Sequence, residues 1–543
     1  MQLRFLVLQF LLQIWCGLAS TALDCSDVGL QTLANDLEAT ADQRVQLVSY
    51  AEAEICGQQT ATSQKRAIHA CNIARILFRS PVNSSLIATY IDDTSTNFVN
   101  RTEVNWSDAC WTNSSCIVSP ETPNDVARSL RIITSTNATF AVRSGGHNPN
   151  SGFANVGHEG VLIDTVNLNN IVFDNATNTM EIGPGVRFGD VYSKLQGTGK
   201  FVNGGKDTSV GIGGYFLGGG NTFFTSRYGV SAAGIKSVEI VLANSTIVEA
   251  NQSSNRDLMW ALKGGGPNFG IVTRYDLETV ELPYVWFEAR LYNPSSTPAL
   301  IAAAVRYQAA AEKDPDATLV FQVTPTTTLL GFSYAKPIVR PPIFDEFLSL
   351  PYNSTYTNST VGTASDLAFS YAGTEPLVAQ KYMIATTTHV PSLEVYTEGY
   401  QRYLNMSTEV AGAFNATLTF GIQPFTSLAA TASQRNGGSP MHPPPVSQNW
   451  FVATIQWEDP NYNAAALSTV RSLADSIKQS AQRRGLGLSF EFMNDANYKQ
   501  DVLSSYGNSS AARLRAVSEQ VDPQQVFQKL QNGGFKISNA GAR

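Results

Sequence analysis

Two glycine-rich segments contain the residues of this chain that are best suited to hold an anionic cofactor. The first is Arg143-Ser144-Gly145-Gly146-His147, and the second combines Gly211-Ile212-Gly213-Gly214 with Gly218-Gly219-Gly220. Each segment follows an apolar run, and glycine allows backbone amides to approach a phosphate closely. The pattern predicts a cofactor of dinucleotide size, and the histidine indicates a role beyond a single hydrogen bond.

Several common cofactor and catalytic motifs are absent from the sequence. It contains neither G-x-G-x-x-G nor G-x-x-x-x-G-K-[ST], which disfavours a Rossmann or P-loop nucleotide site. It also lacks G-x-S-x-G and H-E-x-x-H, which disfavours a serine hydrolase or a zinc protease. The chain has 5 histidines, and no two of them have metal-ligand spacing. A flavin or a similar nucleotide fits the glycines best, and no metal site is expected.

The glycine segments are predicted to lie at the ends of short strands. Apolar runs typical of strands occupy 140–142, 161–164, 171–173, 179–182, 235–242, 246–248 and 270–275. Helices are predicted at 188–195, at 257–262 and after the start signal Thr122-Pro123-Asn124-Asp125. Because few helices separate the strands, this part of the chain is predicted to be an α+β domain without a run of βαβ units.

The N-terminus has the pattern of a secretory signal peptide. Arg4 precedes an apolar run at 5–18, and small residues at 17–22 offer cleavage sites. A membrane anchor is the less favoured alternative because the run is short and no second one follows. Residues 25 to about 80 are predicted to be helical. The cysteines that follow the leader predict disulfides with one thiol left over, in a pairing that stays open: Cys25, Cys56, Cys71, Cys110 and Cys116.

Sequons for N-glycosylation are frequent, and glycans would hydrate a surface from a chain with only 15% charged residues. They occur at Asn83, Asn100, Asn105, Asn113, Asn137, Asn175, Asn244, Asn251, Asn353, Asn358, Asn405, Asn415 and Asn508. The net charge of -7 and the lack of a basic stripe argue against a nucleic-acid partner.

The length of 543 residues predicts two or three domains. Beyond about residue 286 the pattern predicts a second α+β domain with an open sheet. Its predicted strands are 286–291, 318–323 and 451–457, and its predicted helices are 299–311 and 462–483. A final helix is expected at about 510–521, before Asp522-Pro523.

Three glycine motifs and the C-terminal ending together resemble one known family. The segments 142–147, 208–220 and 264–273 are similar to the FAD-binding domain of berberine-bridge-enzyme-like oxidases, within the vanillyl-alcohol-oxidase superfamily. Asn494-Asp495-Ala496-Asn497-Tyr498 and Asn532-Gly533-Gly534-Phe535 resemble the ending of the fungal secreted members. The resemblance spans about residues 115 to 537, and the order of the motifs makes it specific.

The N-terminal pattern and the resemblance together predict a division of the chain into five parts. These are a signal peptide (1–22), a helical cysteine-containing segment (23–115), a PCMH-type FAD-binding domain (116–285), a substrate domain with an open antiparallel sheet (286–492), and a segment that returns to the FAD domain (493–543).

The resemblance also implies which residues bind FAD. They are Arg143, Ser144, Gly145, Gly146, His147, Ser209, Val210, Gly213, Gly214, Gly219, Gly270, Ile271 and Val272. The histidine is expected to bond covalently to the flavin C8 methyl group. Members with a second covalent link have Cys-Pro-Thr where this chain has Asp207-Thr208-Ser209, so a single link through the histidine is expected.

The base that would accept the substrate proton is harder to predict. In the plant members it lies on a strand that ends in Trp, matched here by 450–457. One face of that strand would present no acid, since it would show Trp450, Val452, Thr454 and Gln456. Candidates from elsewhere are Asp495, Tyr498 and Glu458, each of which could instead be structural.

The expected protein is a secreted, monomeric FAD oxidase without stable membrane insertion. It would take a hydride from a small organic substrate and reduce O2 to H2O2, in an alcohol oxidation or oxidative cyclisation of fungal secondary metabolism. Two alternatives stay open: a carbohydrate oxidase that forms lactones, and a secreted flavin-binding glycoprotein without turnover.

Overall fold

The computed structural model describes residues 26–56, 62–78, 90–371 and 379–541. The predicted signal peptide, Cys25 and the sequon at Asn83 lie outside the described residues. Three β-sheets organise the described chain, and helices cover them. No helix among the described residues is long and apolar enough to cross a membrane.

The helices are α1 (Asp27–Asp36), α2 (Ala41–Tyr50), α3 (Ser63–Phe78), α4 (Phe98–Thr102), α5 (Pro123–Thr136), α6 (Phe188–Leu195), α7 (Ile212–Leu217), α8 (Thr225–Tyr228), α9 (Arg256–Leu262), α10 (Thr297–Ala311), α11 (Asp345–Leu348), α12 (Ala364–Tyr371), α13 (Leu393–Phe414), α14 (Ser427–Ala432), α15 (Asn463–Arg483), α16 (Val502–Ser505), α17 (Asn508–Val521) and α18 (Val526–Lys529).

The strands are β1 (Tyr90–Ile91), β2 (Cys116–Val118), β3 (Thr139–Arg143), β4 (Gly160–Asp164), β5 (Ile171–Asp174), β6 (Thr179–Ile182), β7 (Lys200–Val202), β8 (Ile235–Val241), β9 (Ile247–Asn251), β10 (Ile271–Glu281), β11 (Val285–Tyr292), β12 (Ala317–Val323), β13 (Thr328–Tyr334), β14 (Ser354–Gly362), β15 (Lys381–His389), β16 (Thr417–Ile422), β17 (Pro424–Phe425), β18 (Gln448–Trp457) and β19 (Gly487–Leu488).

The N-terminal helices are tied to the first sheet by a disulfide. Cys71 on α3 is bonded to Cys116 on β2. Cys110 is a buried free thiol. The structure therefore confirms that the cysteines before the glycine motifs form a disulfide and leave a thiol unpaired.

The first sheet has the order β1-β2-β4-β3, and both β2 and β3 run parallel to β4. The crossover from β2 to β3 is α5, which begins at the predicted signal. Thr122 and Asp125 form a reciprocal capping box there, and Pro123 occupies the first turn. One βαβ crossover is thus present, and it is not followed by a run of such units, as the strand spacing predicted. The crossover itself was not predicted, because strand β2 was not recognised in the sequence. The third strand then leads directly into the first glycine turn.

The second sheet is antiparallel, with the order β5-β6-β10-β8-β9 and with β7 added to the far part of β10. Its core is shared with the C-terminal part of the chain, because Leu514 and Phe535 are buried in the same cluster as Phe216 and Tyr275. The mixed α+β class predicted from the sequence is confirmed.

The third sheet is also antiparallel, in the order β14-β11-β13-β12-β16-β18-β15-β19, with β17 paired to β18. Helices α13 and α15 pack against it and bury Phe451, Ala453 and Ile455 of β18. The alternate residues Val452 and Thr454 are only partly buried. This second face looks away from the helices and is free to form the wall of a site.

Candidate functional site

The two glycine turns lie against each other. A Cβ atom placed on Gly145 would lie 2.5 Å from both the N and the Cα of Gly211. Gly146 also has a φ of +70°, a conformation that favours glycine. The backbones can approach this closely only because neither residue has a side chain. The sequence pattern of two cooperating turns is therefore a physical contact in the fold.

Side chains lock the two turns together. Ser144 Oγ donates to the carbonyl of Pro184 at 2.5 Å and accepts a bond from the N–H of Gly213 at 3.1 Å. Arg187 donates to the carbonyl of Gly145 at 2.8 Å and to the carbonyl of Ser209. Sequence analysis missed Arg187. The sequence offered one indication of it, which is a positively charged residue directly before the short helix between the two glycine segments.

Arg143 supports the first turn from below. Its guanidinium donates to Asp164 Oδ2 at 2.7 Å and to Asn105 Oδ1 at 3.2 Å, and the residue is 1% exposed. Burial would raise the pKa of Asp164, but Arg143 and Arg101 hold that pKa below its usual range. The two terminal nitrogens of the guanidinium are thus used below the turn, whereas Arg143 Nε is bonded by no group among the described residues.

His147 lies in an aromatic stack. Its ring is stacked on Trp106, with the centroids 4.8 Å apart and the planes at 9°. Trp106 is stacked in turn on Tyr382 of β15, at 4.0 Å and 13°. Tyr382 pairs with Gln456 of β18, so the open face of the third sheet turns towards the histidine. Neither Trp106 nor Tyr382 carried a motif that would have identified it.

Asp207 faces the same histidine. Its Oδ2 lies 3.7 Å from His147 Nε2. Its Oδ1 accepts bonds from the Ser209 N–H at 2.8 Å and from Ser209 Oγ at 2.7 Å. Although burial opposes the shift, His147 and Ser209 hold the pKa of Asp207 well below its usual range.

The remaining predicted cofactor residues fall into two groups. Gly213, Gly214 and Gly219 lie around the second turn, and a Cβ on Gly214 would meet nothing within 4 Å. Ile271 and Val272 begin β10, where their side chains are buried in the apolar core, and Gly270 directly precedes them. The structure thus brings the first group to the turn and places the side chains of the second group in the sheet interior.

The catalytic candidate Asp495 is joined to a polar network. Gln423 Nε2 donates to Asp495 Oδ2 at 2.6 Å, and Gln423 Oε1 accepts from Asn221 Nδ2 at 3.1 Å. The preceding residue, Asn494, accepts a bond from the N–H of Gly220 at 3.1 Å. The carboxyl group therefore lies where the second glycine turn meets the end of the third sheet.

Opposing influences act on the pKa of the Asp495 carboxyl group. Burial raises its pKa to about 6, although the hydrogen bond from Gln423 and the charge of Lys206 act in the opposite direction. Burial also lowers the pKa of Lys206 to about 8, although Asp495 opposes that shift. A carboxyl group with a pKa close to neutral can accept a proton and release it again. Sequence analysis missed both Gln423 and Lys206. Lys206 directly precedes the recognised segment Asp207-Thr208-Ser209, whereas Gln423 lies in no recognised motif.

Tyr498 and Glu458 occupy different surroundings. The Tyr498 backbone N–H donates to Asn150 Oδ1 at 2.9 Å. Glu458 directly follows the end of β18 and is exposed. Of the three candidates, Asp495 is the one for which a hydrogen bond to Gln423 is observed. Their catalytic roles stay predictions, and Asp495 is the candidate that the geometry favours.

The residues at the turns fit a flavin nucleotide. The turns present backbone N–H groups, and open space adjoins Gly214. Two buried donors beside the first turn, Asn105 Nδ2 and Arg143 Nε, are bonded by no group among the described residues. Buried donors of this kind suit an anionic ligand.

Comparison with known proteins points to the same cofactor. A family model described as an FAD binding domain matches residues 114–251. An FAD-dependent monooxygenase of Arthrobotrys oligospora is 33% identical over 439 residues, which are 80% of this chain and 84% of that protein.

Solved structures share the fold at lower identity. BBE-like 1 of Physcomitrella patens has a TM-score of 0.67 and 18% identity, and the match covers 82% of this chain and 97% of that one. The glucooligosaccharide oxidase of Acremonium strictum has a TM-score of 0.69 and 17% identity, with coverage of 82% and 96%. Its flavin is described as a 6-S-cysteinyl, 8α-N1-histidyl FAD.

Proposed function

The chain belongs to the berberine-bridge-enzyme-like family of FAD-linked oxidoreductases, and we propose that it oxidises a small organic substrate with Asp495 as the base. The observation that supports this role is the partly buried Asp495 carboxyl group, which accepts a hydrogen bond from Gln423 and follows Asn494, the residue bonded to Gly220 of the second glycine turn. Near pH 7 this carboxyl group, with its pKa of about 6, is mostly ionised. It can therefore take the proton of a substrate hydroxyl or amine.

The residues that would hold FAD are those of the two turns. The backbone of 144–147 and 209–214 would bind the pyrophosphate, while Arg187 and Ser144 keep the turns together. His147 would carry the flavin through one covalent bond, because Asp207 cannot form a thioether. When bound, the flavin accepts the hydride, and the protein orients the substrate and manages the proton.

The wall opposite the turns favours a substrate with little charge. The partly buried face of β15 and β18 presents Tyr382, Ile384, Thr454 and Gln456. An aromatic surface with neutral polar groups suits an aromatic or terpenoid alcohol of secondary metabolism. A carbohydrate remains the alternative substrate class, supported by the similarity to a glucooligosaccharide oxidase.

The substrate class is tested by anaerobic reduction of the flavin. Purified protein is mixed without oxygen with aromatic alcohols, terpenoid alcohols and oligosaccharides, and the absorbance of the oxidised flavin is followed. We expect bleaching with a member of the first two classes. Bleaching by oligosaccharides alone would favour the carbohydrate oxidase, and FAD that no donor reduces would favour a protein without turnover.

The fate of oxygen distinguishes an oxidase from a monooxygenase, the activity in the name of the Arthrobotrys relative. We propose that the chain releases one H2O2 for each substrate oxidised. A reaction under ¹⁸O2 should therefore give an unlabelled product and labelled peroxide. Label in the product would identify a monooxygenase.

We also propose that the chain enters the secretory pathway. Among the described sequons, those with exposed asparagines are Asn100, Asn113, Asn175, Asn244, Asn353, Asn358, Asn405, Asn415 and Asn508. Asn137 and Asn251 are half-buried. Asn105 is buried: it is 3% exposed and accepts a bond from Arg143, so a glycan there would conflict with the fold. Peptide mapping after glycosidase treatment should find modified exposed sites and an unmodified Asn105.

A further inference from the structure

We propose that Asp207 prepares His147 for covalent attachment to the flavin, by keeping the imidazole proton on Nε2 and leaving Nδ1 as the nucleophile. This inference rests on the proposed covalent link at His147. It assigns a positioning role to a residue that sequence analysis treated only as the absence of a second link.

The histidine ring has little freedom to turn. It is stacked on Trp106, whose own place is fixed by its stacking on Tyr382. The backbone N–H of Trp106 also donates to the carbonyl of Gly146 at 3.0 Å, which ties this residue to the first glycine turn. The Nε2 edge of the ring is therefore held towards Asp207.

The carboxylate is held just as firmly. Both bonds from Ser209 go to Oδ1, so Oδ2 is the oxygen left to face the ring, at 3.7 Å from Nε2. This distance is too long for a hydrogen bond, but a negative charge there favours the tautomer with its proton on Nε2. The group stays ionised, because its pKa is held well below the usual range. The lone pair is then on Nδ1.

The chemical step balances in atoms and electrons. A methyl C–H proton of the flavin would pass to water as a bond forms from Nδ1 to the methyl carbon. The two electrons of that C–H bond remain in the flavin ring until O2 takes them and becomes H2O2. The imidazole gains a positive charge when Nδ1 is alkylated, and Asp207 can stabilise that charge or accept the Nε2 proton.

The inference is tested by separating bound flavin from covalent flavin in the purified holoprotein. Total flavin is measured by absorbance, and covalent flavin is measured as the fraction that stays with acid-precipitated protein. For Asp207→Ala and Asp207→Asn we expect unchanged total flavin and at least a fivefold smaller covalent fraction. Because Asp207 is 52% exposed, both variants should fold, and thermal unfolding checks this.

A matched control and a rescue separate positioning from a structural effect. Asp190→Asn removes an exposed carboxylate from α6, which has no contact with His147, and should leave the covalent fraction unchanged. Acetate added while FAD is incorporated should raise the covalent fraction of Asp207→Ala and leave that of the unmodified protein unchanged.

Three results would overturn the inference. The first is complete covalent attachment in Asp207→Asn, and the second is a parallel loss of total and covalent flavin. The third is unmodified protein that binds FAD but keeps none after acid. Only this third result also removes the proposed link at His147, so failure of the inference is distinguishable from failure of that link.

Discussion

The proposed nucleotide cradle and the proposed catalytic face are built in different ways. The cradle consists of backbone from two glycine turns in direct contact, Gly145 against Gly211. The catalytic face combines side chains from distant parts of the chain: Asp495 lies 72 residues from Gln423, which lies 202 residues from Asn221. The cradle needs glycines that let the backbone approach, whereas the face needs a particular carboxyl group in a particular environment. Substitutions in the cradle should therefore change flavin content or the free energy of unfolding, whereas substitutions in the face should change the rate of flavin reduction.

The largest expected effect is at the point where the two regions meet. His147→Ala should reduce acid-stable flavin to none, because no other residue is expected to form the link. Total flavin should fall less, since the backbone of the turns still binds the pyrophosphate. Absorbance before and after acid precipitation measures both quantities. A yellow acid precipitate from this variant would place the link elsewhere.

The next effect tests the catalytic face alone. Asp495→Asn keeps the shape of the side chain but removes the base, so the rate of anaerobic flavin reduction should fall about 10²- to 10⁴-fold. The content of bound flavin should not change. Tyr498→Phe and Glu458→Gln test the competing candidates under the same conditions. A larger loss of rate in either of them would transfer the role of base from Asp495.

A smaller effect is expected from pH. Because the pKa of Asp495 is about 6 and its ionised form is the base, the rate of flavin reduction should fall as the pH is lowered below about 6. Lys206→Met removes the charge that lowers this pKa, so the fall in rate on the acidic side should begin at a higher pH. Stopped-flow measurements from pH 5 to 9 test both points. An unchanged pH dependence in Lys206→Met would mean that Lys206 does not influence the pKa of Asp495.

The smallest expected effect concerns the cradle. Gly211→Ala places a methyl group against the backbone of Gly145, and overpacking of this kind costs about 1–3 kcal/mol of unfolding free energy. Gly412→Ala is the matched control, because a Cβ there meets nothing within 4 Å and helix propensity favours Ala by about 0.5–1 kcal/mol. Urea unfolding should therefore show opposite signs for the two variants. Equal stability would mean that the turns can separate.

Much of the cradle was predictable because it depends on neighbours in sequence. The helix start at Thr122-Pro123-Asn124-Asp125 and the helix Phe188–Leu195 were predicted by local rules, and the structure confirms both. The crossover of α5 between parallel strands was not predicted, because strand order depends on which edges meet in space. Likewise, the sequon at Asn105 gave no sign that its asparagine is buried beneath Arg143.

The sequence alone determined the class of fold, the FAD-linked family and the location of the nucleotide turns, because glycines at fixed spacing constrain the backbone wherever they occur. It also supplied Asp495 only as one of three equal candidates. The tertiary structure supplies the observation on which our proposal of Asp495 rests, since the pKa of a carboxyl group is set by burial, by a hydrogen-bond donor and by a nearby charge. For Asp495 the burial comes from the surrounding fold, the hydrogen bond from Gln423 and the charge from Lys206. These groups are far apart in the sequence and meet only in the folded chain.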